Sequence, residues 1–235
     1  MMKQIKFLVI VAALMVCSTA SAQFTSSSRS GSSSVSTEGW NTFYFMYSPT
    51  TLKDEYKEKS FSESFSYNLS GFSLGYERAI GLTQSIPLYL KVGGELKYSF
   101  GKKSFDEDRV KYDIKYSFLS VKVPVSVAYD FAVTDNIDIL PYTGMYFRVN
   151  AMGKVKYDGD YSKYLDDDDY DVFSDGDDDE KWSRFQVGWQ IGADVMFSKR
   201  FVAGINYSND ISKLYNEDGE KVSSHAINIK LGIVF

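Results

Sequence analysis

The sequence has one cysteine, Cys17, one histidine, His225, and four prolines in 235 residues. A single cysteine cannot form an intramolecular disulfide, and the Cys and His spacings of structural zinc sites are absent. There is no phosphate-binding glycine loop and no basic patch for nucleic acid. No apolar run reaches the roughly 20 residues that a membrane-spanning helix needs. These absences exclude disulfide-framework, zinc-finger, P-loop and helical membrane proteins.

The amino terminus has the pattern of an export signal. Two lysines precede a ten-residue apolar run at residues 7–16, and Ala20-Ser21-Ala22 follows. This pattern predicts a signal peptide over residues 1–22. Because Val16 stands where a lipobox has a small residue, we favour cleavage over lipidation at Cys17. Residues 23–39 are rich in serine and predict a disordered leader, which leaves residues 40–235 for the folded domain.

What the chain does have is aromatic residues, 18 Tyr and 17 Phe, and strict alternation. In residues 225–235, one parity holds Ile227, Ile229, Leu231, Ile233 and Phe235, and the other holds mostly small or polar residues such as Lys230. Such alternation is typical of a strand. The mean hydropathy of -0.25 is compatible with a membrane barrel, since lipid-facing and lumen-facing residues cancel.

Eight such strands are predicted, at residues 41–47, 65–78, 88–100, 111–131, 137–153, 185–197, 201–208 and 225–235. Long connections follow strands one, three, five and seven, and short turns follow the others. This rhythm predicts an all-β, antiparallel, up-and-down transmembrane β-barrel with long extracellular loops and short periplasmic turns. A soluble lipocalin-type barrel would also alternate, but the signal peptide and the terminal Phe235 favour the membrane version.

Two strands change the parity of their apolar residues partway along. The changes fall near Ser70 and Gly71 in the second strand and between Phe118 and Leu119 in the fourth. Each predicts a β-bulge. Pro124 cannot donate a ladder hydrogen bond, so we expect it at an irregularity or a weak pairing.

Three stretches carry a family resemblance: residues 119–125 (LSVKVPV), 140–144 (LPYTG) and 187–193 (VGWQIGA). With them, residues 40–235 resemble the eight-stranded outer-membrane β-barrel family of Bacteroidota, called PorT-like or OmpX-like. The resemblance implies an outer-membrane location and a Phe235 that serves as a signal to the barrel-assembly machinery. By analogy with PorT it also implies a secretion-accessory role as one alternative. It transfers no catalytic residue.

Charged residues occupy the inward parities of the predicted strands: Glu77, Lys91, Glu95, Lys97, Arg148, Asp194 and Lys230. Buried charges are costly unless they are paired. We therefore expect a self-neutralising network that fills a barrel too narrow for a channel. A proton or ion path is the alternative.

Residues 158–180 carry a net charge of -11, against -5 for the whole chain. Their carboxylates are candidate calcium ligands: Asp166, Asp167, Asp168, Asp169, Asp171, Asp175, Asp177, Asp178 and Asp179. The EF-hand spacing fails: with Asp171 as the first ligand, Trp182 stands at the twelfth position, where a bidentate glutamate is required. Weak calcium binding that bridges to lipopolysaccharide competes with a solvated, self-repelling loop. The same segment contains four candidate anchors for a protein partner: Tyr161, Tyr164, Tyr170 and Phe173.

His225 adjoins Ser223 and Ser224 at the predicted outer rim. A lipid hydrolase or acyltransferase at this rim is an alternative, but no paired carboxylates or oxyanion hole accompany the histidine. We expect a non-enzymatic, cofactor-free barrel that acts through its extracellular loops in surface binding, adhesion or a structural role. Its expected partners are outer-membrane lipid, lipopolysaccharide, the assembly machinery and a surface protein.

Overall fold

The computed structural model describes residues 38–58, 61–83, 85–107, 110–159, 169–174, 182–217 and 220–235. The predicted signal peptide and residues 23–37 of the predicted leader lie outside these ranges. In the described part of the chain, no helix is long and apolar enough to cross a membrane.

The described residues form twelve strands. They are β1 (Trp40–Tyr47), β2 (Thr50–Glu58), β3 (Phe61–Gly81), β4 (Leu88–Glu107), β5 (Val110–Tyr129), β6 (Phe131–Thr134), β7 (Ile137–Gly159), β8 (Asp169–Asp171), β9 (Phe185–Phe197), β10 (Phe201–Asp210), β11 (Tyr215–Glu217) and β12 (Glu220–Val234).

Eight wall positions close into an antiparallel ring. β1 and β2 share one position, because both pair with β3 on one side and with β12 on the other, and Pro49 interrupts them without a change of register. Phe43 pairs with Ile233, so the last strand closes against the first. The turn after β9 has positive φ at Ser198 (47°) and Lys199 (54°), as a tight primed hairpin turn requires. The eight-stranded barrel is confirmed.

Three segments predicted as extracellular loops are instead largely strand. Residues 49–63 contain β2 and the start of β3, residues 101–109 contain the end of β4, and residues 214–222 contain β11 and the start of β12. The loop predictions were wrong because one face of each segment is densely polar, which concealed the apolar residues on the other face. β7 reaches 23 residues, about twice the 9–11 that cross a bilayer.

The bulge predicted in β3 was wrong, and the bulge predicted in β5 is present at that level but lies in its partner strand β7. In β3 the register with β1 and β2 is the same on both sides of Ser70, from Tyr47–Phe72 to Thr50–Leu69, and in β5 the even-numbered residues face inward along the strand. One register shift does occur in the β5–β7 pairing, between Leu119 and Ser120, but the extra residue is Ala151 in β7. The prediction for Pro124 is confirmed, since the β4–β5 ladder skips that residue.

The parity changes instead mark a change in the surroundings of the barrel. We call the membrane half the part formed by residues 40–47, 71–83, 85–100, 119–149, 185–210 and 226–235. The extracellular half is the part formed by residues 50–58, 61–70, 101–107, 110–118, 150–159, 169–174, 182–184, 211–217 and 220–225. On β3 and on β5, residues of the same parity face inward in both halves. The apolar side chains, however, lie on the outward face in the membrane half and on the inward face in the extracellular half.

In the membrane half, apolar side chains point outward, as Leu231 (60% exposed) illustrates. Aromatic residues edge this band. Those at its upper edge are Tyr47, Phe72, Phe100, Phe147, Phe185, Trp189 and Tyr207, and those at its lower edge are Tyr76, Tyr129, Phe131, Phe197, Phe201 and Phe235. Two aromatic girdles around an apolar band are the surface that a bilayer requires.

In the extracellular half, the outward residues of β3 are polar: Ser62, Ser64, Ser66 and Asn68 are exposed. The inward residues are apolar, and Leu52, Leu69, Phe118, Val155, Val172, Phe173, Leu214 and Val222 form a buried cluster. Water outside and an apolar core inside is the arrangement of a soluble barrel. The chain therefore places a soluble-type apolar core on a membrane-type barrel, and β3, β4, β5, β7 and β12 run through both.

Candidate functional site

Four charges form a closed ring in the lumen of the membrane half. The Lys91 ammonium lies 3.0 Å from Glu77 and 2.6 Å from Asp194, and the Lys230 ammonium lies 3.1 Å and 2.6 Å from the same two carboxylates. All four side chains are buried. Two positive and two negative charges cancel, which is the condition under which buried ions are tolerated.

Two further ion pairs lie in the same lumen. Lys122 contacts Glu95 at 2.8 Å, and Arg148 pairs with Asp210, which also accepts a hydrogen bond from the Tyr146 hydroxyl at 2.6 Å. Lys97 donates to the Thr50 hydroxyl at 2.8 Å. The structure thus places all seven predicted lumen residues inside the barrel, and it adds Lys122 and Asp210.

Sequence reasoning could have found both additions. Lys122 already had inward parity, because Leu119 and Val121 were assigned outward. Asp210 lies two residues beyond the predicted end of its strand at residue 208, so its parity was never considered. The structure continues β10 to Asp210.

Tyrosine rings close the remaining space in the membrane lumen. A Cβ at Gly75 would come within 2.2 Å of the Tyr44 ring, and a Cβ at Gly188 would come equally close to the Tyr146 ring. Glycine at these two positions lets the rings lie flat against the barrel wall. The void among the charged residues is about 20 Å³, which is room for about one water molecule.

The extracellular half, by contrast, contains a cavity of about 570 Å³. This volume falls within the roughly 300–1,000 Å³ that small-molecule sites occupy. The cavity is lined by Leu52, Asp54, Tyr67, Tyr116, Val155, Tyr157, Tyr170, Val172, Trp182, Glu220 and Val222. We call these residues the extracellular pocket. Its walls are mainly aromatic and aliphatic, with two carboxyl groups among them.

Strand alternation explains why these residues meet. Asp54 on β2 pairs with Val222 on β12, and Glu220 follows two residues away on the same inward face. On the opposite wall, β7 and β8 present Val155, Tyr157 and Tyr170. The pocket is therefore built on strands whose positions the hydrogen-bond ladders fix.

The two carboxyl groups are poorly compensated. Burial raises the pKa of Asp54, and burial together with the nearby Asp54 charge raises the pKa of Glu220. The Oδ1 atom of Asp54 is buried and has no hydrogen-bond partner. A buried acceptor without a partner costs free energy, and a bound molecule with a donor group would relieve that cost.

The tyrosine hydroxyl groups bond to one another in pairs. Tyr116 hydrogen-bonds Tyr67, and Tyr170 hydrogen-bonds Tyr157. Burial raises the pKa of Tyr116 and of Tyr170 well above the usual value, so both phenols are neutral near pH 7. Their rings provide apolar surface, because their polar ends are already satisfied.

The acidic segment lies only partly within the described residues. Asp166, Asp167, Asp168, Asp175, Asp177, Asp178 and Asp179 lie outside them, as do Tyr161 and Tyr164. In the backbone ladder, Asp169 of β8 stands opposite Lys156 of β7. The Asp171 carboxylate accepts a hydrogen bond from the Phe173 backbone N–H at 2.9 Å. Among the described residues, no group of three or more His, Cys, Asp or Glu side chains is placed to hold a metal ion. Calcium binding by this segment stays a prediction.

Of the predicted partner anchors, Tyr170 and Phe173 turn inward. The Phe173 side chain is 5% exposed and packs against Trp182 and Phe118, and the Tyr170 ring stacks on Tyr157. Residues 169–174 thus fold into the top of the barrel, where these two rings contribute to the buried cluster and its pocket.

His225 lies at the lower edge of the extracellular half and faces outward, 6.1 Å from the Tyr207 ring centre. Ser224 is buried on the opposite face of β12, because neighbouring residues of a strand point to opposite sides. The Ser223 hydroxyl donates to the Lys53 carbonyl at 3.5 Å. The geometry does not bring Ser224 and His225 together as nucleophile and base.

Phe235 ends the barrel beside the first strand. Its backbone exchanges two 2.9 Å hydrogen bonds with Asn41, and its ring lies 6.4 Å from Tyr76. The predicted pairing of the last strand with the first is confirmed. The role of Phe235 as an assembly signal stays a prediction.

Several solved structures of other proteins show some similarity to this chain. Among solved structures, Ail, the attachment invasion locus protein of Yersinia pestis, is 18% identical with a TM-score of 0.36 and covers 84% of this chain and 99% of its own. Neisserial surface protein A is 15% identical with a TM-score of 0.34, covering 81% and 96%. The outer membrane enzyme PagL is 12% identical with a TM-score of 0.39, covering 77% and 97%. None of the curated proteins compared with the chain matches it.

The family assignment comes from a sequence match. Residues 50–216 match the family model described as the outer membrane protein beta-barrel domain. This range runs from β2 to β11 and covers most of the chain. The protein therefore belongs to the outer membrane protein beta-barrel domain family and is located in the outer membrane.

Proposed function

We propose that this protein is a non-enzymatic binding protein of the cell surface that holds a small, largely apolar molecule in the extracellular pocket. The observation that carries the proposal is the 570 Å³ cavity of the extracellular half, beside which the void among the charged residues of the membrane half is only about 20 Å³. In this account the membrane half anchors and orients the barrel, and the extracellular half binds.

The wall of the pocket supports this function. Tyr67, Tyr116 and Trp182 are partly buried rings that pack against the buried cluster, and aromatic rings contribute large apolar contact areas at a binding site. Since the strands fix the wall, a ligand would enter a preformed site, which reduces the ordering cost of binding.

A neutral aromatic probe, 1-naphthylmethanol, tests the proposal by isothermal titration of the whole barrel in lipid nanodiscs. We expect saturable 1:1 binding to the wild type. Val222→Trp should abolish it by filling the pocket, whereas Val121→Trp, on the lipid-facing side of β5, should not affect it. Equal uptake by the two variants would mean that the probe partitions into lipid, and the proposal would be wrong.

The membrane half has its own test. Planar-bilayer recordings of the purified barrel should give no stable conductance steps, because the charged ring and tyrosine rings fill the lumen. Reproducible single-channel steps would contradict the anchor role and would favour the ion-path alternative.

We further propose that His225 takes no part in a catalytic step, because its side chain and that of Ser224 point to opposite faces of β12. If a lipase or acyltransferase activity were detected and His225→Ala abolished it, the rim-enzyme alternative would replace this proposal. Contacts with lipopolysaccharide or a surface protein, and the secretion-accessory role, stay predictions of the sequence.

A further inference from the structure

We infer that the extracellular pocket selects an organic cation, namely a molecule with an apolar or aromatic body and an ammonium or guanidinium group. The inference rests on the proposed function and names the ligand chemistry of that same site. It follows from the position of the two carboxyl groups, the composition of the wall and one cation already in contact with that wall.

The charge of the pocket is the first step. The described lining residues include Asp54 and Glu220 and no basic residue. The Lys102–Asp113 and Lys115–Asp158 pairs lie on the outward face of the same half. At neutral pH the described lining residues therefore carry negative charge, opposed by the Lys103 ammonium that contacts Tyr67. Two acids against this one lysine favour a cationic ligand over an anionic one.

The geometry of the acids is the second step. Val222 stands opposite Asp54 in the β2–β12 ladder, and Glu220 follows on the same face, so both carboxyl groups reach one side of the cavity. The Asp54 Oδ1 atom has no hydrogen-bond partner. An ammonium or guanidinium group donates several hydrogen bonds and accepts none, so it can satisfy this acceptor and neutralise the pair.

The aromatic wall is the third step. Rings attract cations through their negative faces, and clusters of rings are a known way to bind quaternary ammonium groups. In this protein the Lys103 ammonium, which is not among the lining residues, lies 4.4 Å from the centre of the Tyr67 ring. The ring of Tyr67 is therefore electrostatically suited to a positive charge, and the opposite wall offers Tyr157, Tyr170 and Trp182.

Binding of a cation would also change the protonation of Asp54 and Glu220. Because burial raises the pKa of Asp54 and Glu220, a positive ligand beside them would lower both values and release protons in the pH range where they are partly protonated. Tyr67 is the titratable group that faces the pair from β3, and its own raised pKa keeps it neutral there.

The test compares three probes that share one ring and differ in charge: 1-naphthylmethylamine, 1-naphthylmethanol and 1-naphthoate. Isothermal titration uses the full barrel in nanodiscs of zwitterionic lipid at pH 7. We expect the amine to bind at least about tenfold more tightly than the naphthoate, with the alcohol between them. At mildly acidic pH, titrations in two buffers of different ionisation enthalpy should show proton release with the amine.

Variants assign the preference to the two acids. Asp54→Asn combined with Glu220→Gln should reduce amine affinity about tenfold, to that of the alcohol, without weakening the alcohol. The matched control, Asp113→Asn, removes an outward carboxylate of the same half and should change nothing. Each single variant is measured as well, and heat-modifiable gel migration verifies that every variant is folded.

The outcomes separate the two proposals. If the alcohol binds in the pocket but the amine and naphthoate bind equally, or if the folded double variant keeps full amine preference, the cation inference fails and the proposed function stands. If none of the three probes binds saturably, the proposed function fails and the inference fails with it.

Discussion

The two halves of this barrel share strands but reverse the use of their faces. In the membrane half Leu231 points outward into lipid and Lys230 points into the lumen, whereas in the extracellular half of the same strand Lys221 points outward and Val222 points inward. Along β12 the alternation of side chains is continuous from one half to the other. What changes is the medium outside the wall, from hydrocarbon to water.

The lumens of the two halves also differ in polarity and in how completely they are filled. The polar lumen of the membrane half is nearly filled, because its charges must pair with one another in a narrow barrel. The apolar lumen of the extracellular half leaves a cavity of about 570 Å³ next to two acids that lack partners of opposite charge among the described lining residues. Anchoring and binding are thus assigned to different parts of one continuous sheet.

The largest effect should come from breaking the charged ring of the membrane half. Lys230→Met leaves Asp194 and Glu77 with Lys91 alone, and the loss of one partner from a buried network typically costs about 3–5 kcal/mol. Urea titration with heat-modifiable migration measures the loss. The control is Lys115→Met, which removes an exposed pair with Asp158. Equal destabilisation by both variants would contradict the contrast between buried and exposed charges.

A second effect should follow from moving a charge along one face of β12. Leu231→Lys places a cation against lipid, at a cost of about 2–4 kcal/mol near the bilayer midplane. Lys221→Leu, ten residues earlier with the same outward parity, should cost little because water surrounds that site. Refolding yields into lipid vesicles and urea midpoints compare the two. A similar cost for both would place the membrane boundary elsewhere.

A third effect should appear inside the extracellular half. Val155→Asn places an amide in the buried apolar cluster, where a polar group without partners costs about 1–3 kcal/mol. Lys156→Asn, its outward neighbour on β7, should be much milder. Proteolysis of intact cells reports loosening of the extracellular half. Resistance in both variants would mean that the inward face tolerates polar groups, as the lumen of the membrane half does.

The smallest effect is a pH dependence from Asp54 and Glu220. Their pKa values are raised in the folded state, so the folded protein holds these protons more tightly than the unfolded chain does. Their contribution to the free energy of unfolding therefore increases as pH falls from neutral through the raised pKa values, and it levels off below the unfolded values.

Comparison of the wild type with the Asp54→Asn, Glu220→Gln double variant separates the contribution of these two acids to the free energy of unfolding from that of the other carboxylates. The double variant should be the more stable at pH 7, and its advantage should shrink as pH falls. Urea unfolding followed by Trp182 fluorescence, with Trp40 and Trp189 replaced by Phe, measures the difference. An advantage that grows at low pH would reverse the sign and contradict the burial of the two acids.

Much of this fold could be predicted from alternation and connection lengths: eight wall positions, closure of the last strand on the first, and the inward charges Glu77, Lys91 and Lys230. The bulge predicted near Ser70 was wrong, and the one predicted near Phe118 was assigned to β5 although it lies in β7, for one physical reason. The prediction assumed that apolar residues always face outward, so a change of apolar parity had to be a change of backbone register.

The site was harder to predict than the fold. Two of the segments that build the extracellular pocket carry charged outward faces, and these faces led to a prediction of loops where the structure has β2 and the start of β12. Asp54 and Glu220 were therefore never considered as neighbours. Only the ladder that pairs Asp54 with Val222 brings them together, and strand pairing at that distance along the chain leaves no local signal.

The exchange of faces along β3 is the central claim, and nitroxide scanning tests it most directly. The only native cysteine is Cys17, within the predicted signal peptide, so single cysteines can be introduced at residues 62, 64, 66, 68, 72, 74 and 80. We predict that labels at the first four positions are accessible to a water-soluble relaxation agent, and that labels at the last three are accessible to oxygen dissolved in lipid. Lipid exposure at residues 62–68, or a reversal of inward and outward parity near Ser70, would contradict the account.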